Sequence, residues 1–151
     1  MSSMKSTLTI NLVLVFTVLF ILTGCNMETN NSSEVDVQLL ESRQWKLNHF
    51  NQQPLIPNTS ITISFSKGRV SGNAGANSYF ASYTVEGQRL SVGPVASTKL
   101  FKMKPEGVMD QEQRFLNALA KMSRIQLNND SLRLIDEGIS LEFEVMPELS
   151  K

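Results

Sequence analysis

The sequence predicts a mainly β (α+β) protein: an antiparallel, barrel-like meander of about eight strands with one helix near residues 108–122. Three observations point there. Several short runs alternate apolar and polar residues, as Ile61-Thr62-Ile63-Ser64-Phe65-Ser66 does, and a period of two leaves one face buried and one wet. Between the runs lie short breaks carrying glycine or asparagine, the residues that supply hairpin turns. One segment alone shifts to a helical period.

Ahead of these runs the chain has a different character. Lys5 gives a positive start, and Leu12 to Leu22 is continuously apolar except for Thr17. Counted even from Leu8, this run is shorter than the ~20 residues that cross a bilayer, so residues 1–24 are expected to be a signal peptide. Leu22-Thr23-Gly24-Cys25 then resembles the lipobox of bacterial lipoproteins, and Cys25, the one cysteine of the chain, is the expected lipidation site. Acyl chains at roughly 0.8 kcal/mol per buried CH₂ would hold a domain at a membrane with no spanning helix. Asn26, where an aspartate would signal inner-membrane retention, points to the outer membrane facing the periplasm. With Cys25 acylated no thiol remains for a disulfide, and stability has to come from an apolar core. Residues 25–38 are expected to form the lipidated cysteine and a flexible tether. Its polar stretch, Asn26 to Val35, would reach about 15–20 Å.

The folded domain is expected over residues 39–147, with Trp45-Lys46-Leu47 at its start. Ile61 to Ser66 is followed by the break Lys67-Gly68, and Ser78 to Val85 by Glu86-Gly87. Arg124 to Leu127 and Ser131 to Leu134 flank Asn128-Asn129-Asp130, and Asp136-Glu137-Gly138 leads into the alternation of Ile139 to Val145. Between them, Met109 to Met122 places Phe115, Leu116, Leu119 and Met122 on one helical stripe. Asp110 and Glu112 in its first turn and Lys121 in its last would complement the helix dipole. Pro105 and Gly107 end any strand before it.

Chemistry finds little to use. Fourteen basic and fourteen acidic residues balance, with no basic run interleaved with aromatics, which argues against nucleic acid. His49 is the single histidine, so a histidine- or cysteine-bound metal would lack partners; a carboxylate-only calcium site stays open but has no EF-hand-like spacing, and no metal or cofactor is expected. The carboxylate pairs Asp110/Glu112 and Glu142/Glu144 sit where a helix start and a wet strand face want them, and no catalytic residue is assigned. Gly72-Asn73-Ala74-Gly75 could suggest a phosphate loop, but a strand rather than a helix follows it. In that strand Tyr79, Ala81 and Tyr83 would share one face.

Gly68-Arg69-Val70-Ser71-Gly72, Gly75-Ala76-Asn77-Ser78-Tyr79, Pro94-Val95-Ala96-Ser97-Thr98, Met109 to Leu116 and Leu141-Glu142-Phe143 occur in an order that resembles the META domain, the HslJ-like heat-shock lipoprotein family. The resemblance implies a small β-barrel with one helix in the bacterial envelope, and links to heat induction and novobiocin resistance. It marks Trp45, Gly72, Gly75, Asn77, Tyr79, Thr98, Glu112 and Phe115 as motif residues, implies a structural corner in which Gly72 and Gly75 let the backbone turn where a side chain would clash, and brings no catalytic group. Relatives often carry two cysteines where this chain has Ala76 and Lys102, which puts any redox role in doubt here.

The expectation is therefore a non-enzymatic envelope lipoprotein. Its partners would be the membrane, through the lipid, and an unidentified envelope protein or small ligand. The alternative is a small-ligand-binding or hydrolase-inhibitor barrel, with the loop from Phe50 to Asn58 as a plug for an enzyme cleft.

Overall fold

The computed structural model describes residues 34–147, so the signal segment, Cys25 and most of the tether lie outside the described residues. The alternating runs are strands: β1 (Gln44–Phe50), β2 (Gln53–Pro54), β3 (Thr62–Ser66), β4 (Arg69–Asn73), β5 (Ser78–Glu86), β6 (Arg89–Val92), β7 (Ala96–Ser97), β8 (Arg124–Leu127), β9 (Ser131–Asp136) and β10 (Ile139–Val145). Eight of them follow one another as β1–β3–β4–β5–β6–β8–β9–β10, and β10 pairs back onto β1. All these pairings are antiparallel, so the meander closes into a barrel and leaves no exposed edge among the eight. β2 and β7 are short additions, on β1 and β5.

Closure follows from alternation. Each of the eight strands turns apolar side chains inward: Trp45 and Leu47, Ile63 and Phe65, Val70, Tyr79, Ala81 and Tyr83, Leu90, Ile125, Leu132 and Leu134, Leu141 and Phe143 are all buried, while Phe80 of β5 faces out. With the helix residues Phe115, Ala118, Leu119 and Met122 they make one continuous core. The barrel is filled by side chains, as an eight-stranded barrel has room to be. The Lys67-Gly68 turn has both central residues at positive φ (+48° and +76°), the hairpin geometry that matches strand twist.

Two helices close the two ends. α1 (Val37–Glu41), which the alternation did not announce, starts at Asp36, whose carboxylate accepts from the Leu39 N–H at 3.0 Å. Its Leu40 is fully buried, and the Leu40 carbonyl accepts from the Trp45 indole at 3.3 Å. Glu41 accepts from the Lys67 N–H at 2.7 Å and from the Tyr83 hydroxyl at 2.6 Å. The chain thus joins the fold at Val35, already buried, inside the stretch expected to be tether. α2 (Val108–Leu119) covers the opposite end, beside the β4–β5 turn. It stops before Lys121, which lies beyond the last turn and does not serve the dipole there; Asp110 does lie in the first turn. Met122 is nonetheless buried and completes the stripe.

β5 spans both ends through its tyrosines. Tyr83 packs edge-to-face on Phe65 (5.0 Å between centroids), and Tyr79 does so on Phe115 (5.4 Å). Burial pushes both phenols well above their ordinary 10.0, and the Glu41 carboxylate adds to the effect at Tyr83. A raised folded-state value means that stability is complete below the unfolded phenol's range, and declines as pH rises past about 10. In alkaline titration, phenolate absorbance should therefore rise in one cooperative step together with loss of the β-sheet circular dichroism. Phenolate appearing near pH 10 in a chain still folded would contradict the burial of these two rings.

Candidate functional site

The motif residues converge on the α2 end of the barrel, and the cause lies in two polar residues on an otherwise apolar helix face. Val108, Gln111, Glu112, Phe115, Ala118 and Leu119 form the buried stripe of α2, so Gln111 and Glu112 must find partners inside the fold. Glu112 is 5% exposed. One of its oxygens accepts from the backbone N–H groups of Ala76 (2.9 Å) and Asn77 (2.7 Å), and the other from the Asn77 side-chain amide at 2.7 Å. Gln111 accepts from the Ile56 N–H at 2.7 Å and donates to the Thr59 hydroxyl at 3.0 Å. A single turn of α2 thereby fastens both the β4–β5 turn and the β2–β3 connection.

Asn77 is the centre of this knot. Its amide donates to Glu112 and to the Leu100 carbonyl (3.0 Å), while its oxygen accepts from the Thr98 hydroxyl (2.8 Å) and the Leu100 N–H (2.6 Å). All four positions of the amide are filled. Among the described residues no buried side-chain nitrogen or oxygen lacks a partner. Every contact of Glu112 goes to groups that hold the fold, so this carboxylate acts as an acceptor for a turn. The helix-dipole role expected for it belongs to Asp110 alone.

The two motif glycines have different reasons. Gly72 sits in β4 opposite Tyr79, and a Cβ there would run into the Thr62 carbonyl. The Tyr79 hydroxyl donates to that same carbonyl at 2.9 Å, with its ring on the strand facing the glycine. Gly75 lies in the turn with φ +119°, while its nearest neighbour would be 3.5 Å from a Cβ, an ordinary contact. Backbone conformation, rather than the clash expected from the sequence, requires glycine there. Trp45 stands apart from this cluster, at the α1 end.

Beside the knot, on the outer face of β4 and β5, an open hollow of about 490 Å³ is lined by Arg69, Ser71, Gly72, Phe80, Ser97 and Thr98 among others, with the Arg69 guanidinium 4.1 Å above the Phe80 ring. His49 lies elsewhere, on the wet face of β1, 3.9 Å from Glu142, which also pairs with Arg133 at 3.3 Å. Among the described residues, no group of three or more His, Cys, Asp or Glu could hold a metal ion, and no helix is long and apolar enough to cross a membrane. Sequence reasoning missed Gln111, Leu100 and Arg69. The readable signal for the first was its place, with Glu112, between Val108 and Phe115 on the apolar stripe.

Comparison with known proteins gives a consistent picture. The family model for the META domain matches residues 38–147. A structure of a protein from Burkholderia xenovorans, determined by NMR, superposes with a TM-score of 0.61 at 27% identity, covering 74% of this chain and 86% of that one. A second NMR structure gives a TM-score of 0.60 at 18% identity, covering 74% and 95%. A DUF4847 family protein from Bacteroides vulgatus gives 0.54 at 16% identity, covering 71% and 94%, and shares the fold. No curated protein matches the chain.

Two sets of substitutions test the knot. Glu112→Ala strands three donors and should cost roughly 3–5 kcal/mol of unfolding free energy. Glu112→Gln should recover only part, because its amide would set a donor against the Asn77 amide. Chemical denaturation checks both, and a Glu112→Ala loss under ~1 kcal/mol would show that the turn stands without the carboxylate. Gly72→Ala should fall at or above the top of the ~1–3 kcal/mol range for overpacking. Gly75→Ala should cost about 1–3 kcal/mol through φ alone. Equal, small losses at both would remove the distinction.

Proposed function

The chain belongs to the META domain family, and on that footing we propose that it is a non-enzymatic envelope lipoprotein, anchored through Cys25 and acting by binding or support under stress such as heat or antibiotic exposure. The observation that carries the anchored part is in the sequence: the one cysteine falls directly after the apolar leader, at the end of Leu22-Thr23-Gly24-Cys25. The structure lends support to a binding rather than a catalytic role. The barrel interior is occupied by side chains, and Glu112, the one buried carboxylate among the described residues, is engaged by backbone and amide donors. A protein built this way works through its outer surface and loops.

The hollow over β4 and β5 favours a second reading, in which a small ligand binds outside the barrel. Arg69 stacked on Phe80 would offer a cation and an apolar platform there, among serine and threonine hydroxyls.

Mass spectrometry of the protein from its native host should find an N-terminal peptide starting at an acylated Cys25, and Cys25→Ser should move the chain out of the membrane fraction. A bare cysteine would overturn the anchored reading. Deletion should reduce survival under heat or novobiocin; unchanged survival and permeability would remove the stress role.

A further inference from the structure

The loop between β7 and α2, residues 98–105, is where the surface departs most from what a small soluble domain shows. Leu100 is 66% exposed, Phe101 82% and Met103 78%, three large apolar side chains within four positions. Lys99, Lys102 and Lys104 alternate with them and are exposed too. From Gln88 to Pro105 the chain has no acidic residue. Phe80 (45% exposed) and Arg69 extend the same chemistry onto the neighbouring face of β5 and β4.

This tip is held in place. The Leu100 backbone is clasped through both its N–H and its carbonyl by the buried Asn77 amide. Lys102 reaches the Gly75 carbonyl at 3.5 Å. The buried network therefore keeps an apolar tip pointed outward, where collapse onto the barrel would have hidden it from water.

We propose that this loop is a second membrane contact: Leu100, Phe101 and Met103 insert at the headgroup boundary of an anionic bilayer while Lys99, Lys102 and Lys104 pair with the lipid phosphates. Apolar side chains interleaved with lysines are the chemistry of interfacial binding. Lysine stems can lie among acyl chains with the ammonium groups at the phosphates. Protein interfaces, by contrast, are depleted in lysine and draw on arginine, tyrosine and tryptophan. The docking rests on the anchored reading above only for bringing the barrel within reach of the bilayer. The chain joins the barrel at the α1 end and the loop lies at the α2 end, so engaging both lays the barrel on its side.

The test uses the full chain reconstituted in phosphatidylcholine vesicles with or without about one-third phosphatidylglycerol. Met103→Cys carries an environment-sensitive fluorophore. Glu137→Cys, an exposed position in the β9–β10 turn on the far side of the barrel, is the control. The probe at 103 should shift to the blue and be quenched by brominated lipids on the anionic vesicles, while the probe at 137 stays in water. Lys99, Lys102 and Lys104 changed together to Gln should weaken this docking about 100-fold, at about fivefold per lysine, with an unchanged unfolding midpoint. Salt should weaken it as well. A probe at 103 that stays in water on anionic vesicles overturns the proposal, as does equal insertion at 103 and 137. So does a shift that comes only on adding an acidic protein, which would mark a protein-binding tip. Labelling of the unsubstituted chain reports on Cys25 separately: a reactive Cys25 defeats the anchor without bearing on the loop.

Discussion

Asn77 and Glu112 stand 35 residues apart in the chain and meet through two hydrogen bonds, one from the asparagine's backbone and one from its side chain. Through the same pair pass the Ala76 amide, the Thr98 hydroxyl and both backbone groups of Leu100. A carboxylate and an amide inside a low-dielectric core destabilise the fold heavily if any partner is missing, and contribute strongly when all are present. Helix, turn and loop at this end are therefore not independent: the position of α2 over the barrel mouth, the path of the β4–β5 turn and the outward set of the 98–105 loop follow from one set of contacts. Gln111, one residue away, adds the β2–β3 connection to the same helix turn.

The opposite end is closed by the same device with different residues. Glu41 of α1 takes the Lys67 N–H and the Tyr83 hydroxyl, as Glu112 takes the turn of Ala76 and Asn77. Tyr83 and Tyr79, four residues apart on β5, bring the phenol hydroxyls to the two ends while their rings fill the space between. The apolar interior is thus braced at both ends by an acidic side chain that accepts from a neighbouring turn.

A closed and filled barrel narrows what the protein can do. Trp45, Phe65, Phe115 and the aliphatic residues around them occupy the interior, so the binding role proposed above would fall to the outer surface. The surface is uneven: an arginine-aromatic pair beside a shallow hollow, and next to it a loop of exposed apolar side chains among lysines. The loop is tied to Asn77 through Leu100, and the hollow through Thr98, so a change in the knot would be felt at both.

The strands were legible because alternation is local. Ile139 to Val145 and Arg124 to Leu127 became β10 and β8 with the bounds their patterns suggest, and the glycine-bearing breaks became the turns. The buried stripe of α2 was equally plain from spacing, though its end fell short of Lys121 because the chain turns after Leu119 to start β8. α1 escaped notice, since five residues are too few to show a period, and it exists only because the barrel mouth buries Leu40. The role of Glu112 was hidden for a related reason. From sequence alone it is an acid near a helix start; the N–H groups it takes belong to a turn 35 and 36 residues away, and only the packing of α2 beside that turn brings them together. The chain's local periods determined which residues face inward. The long-range packing of α2 against the β4–β5 turn decided which polar groups meet there, because the partners are far apart in the chain and no local pattern couples them.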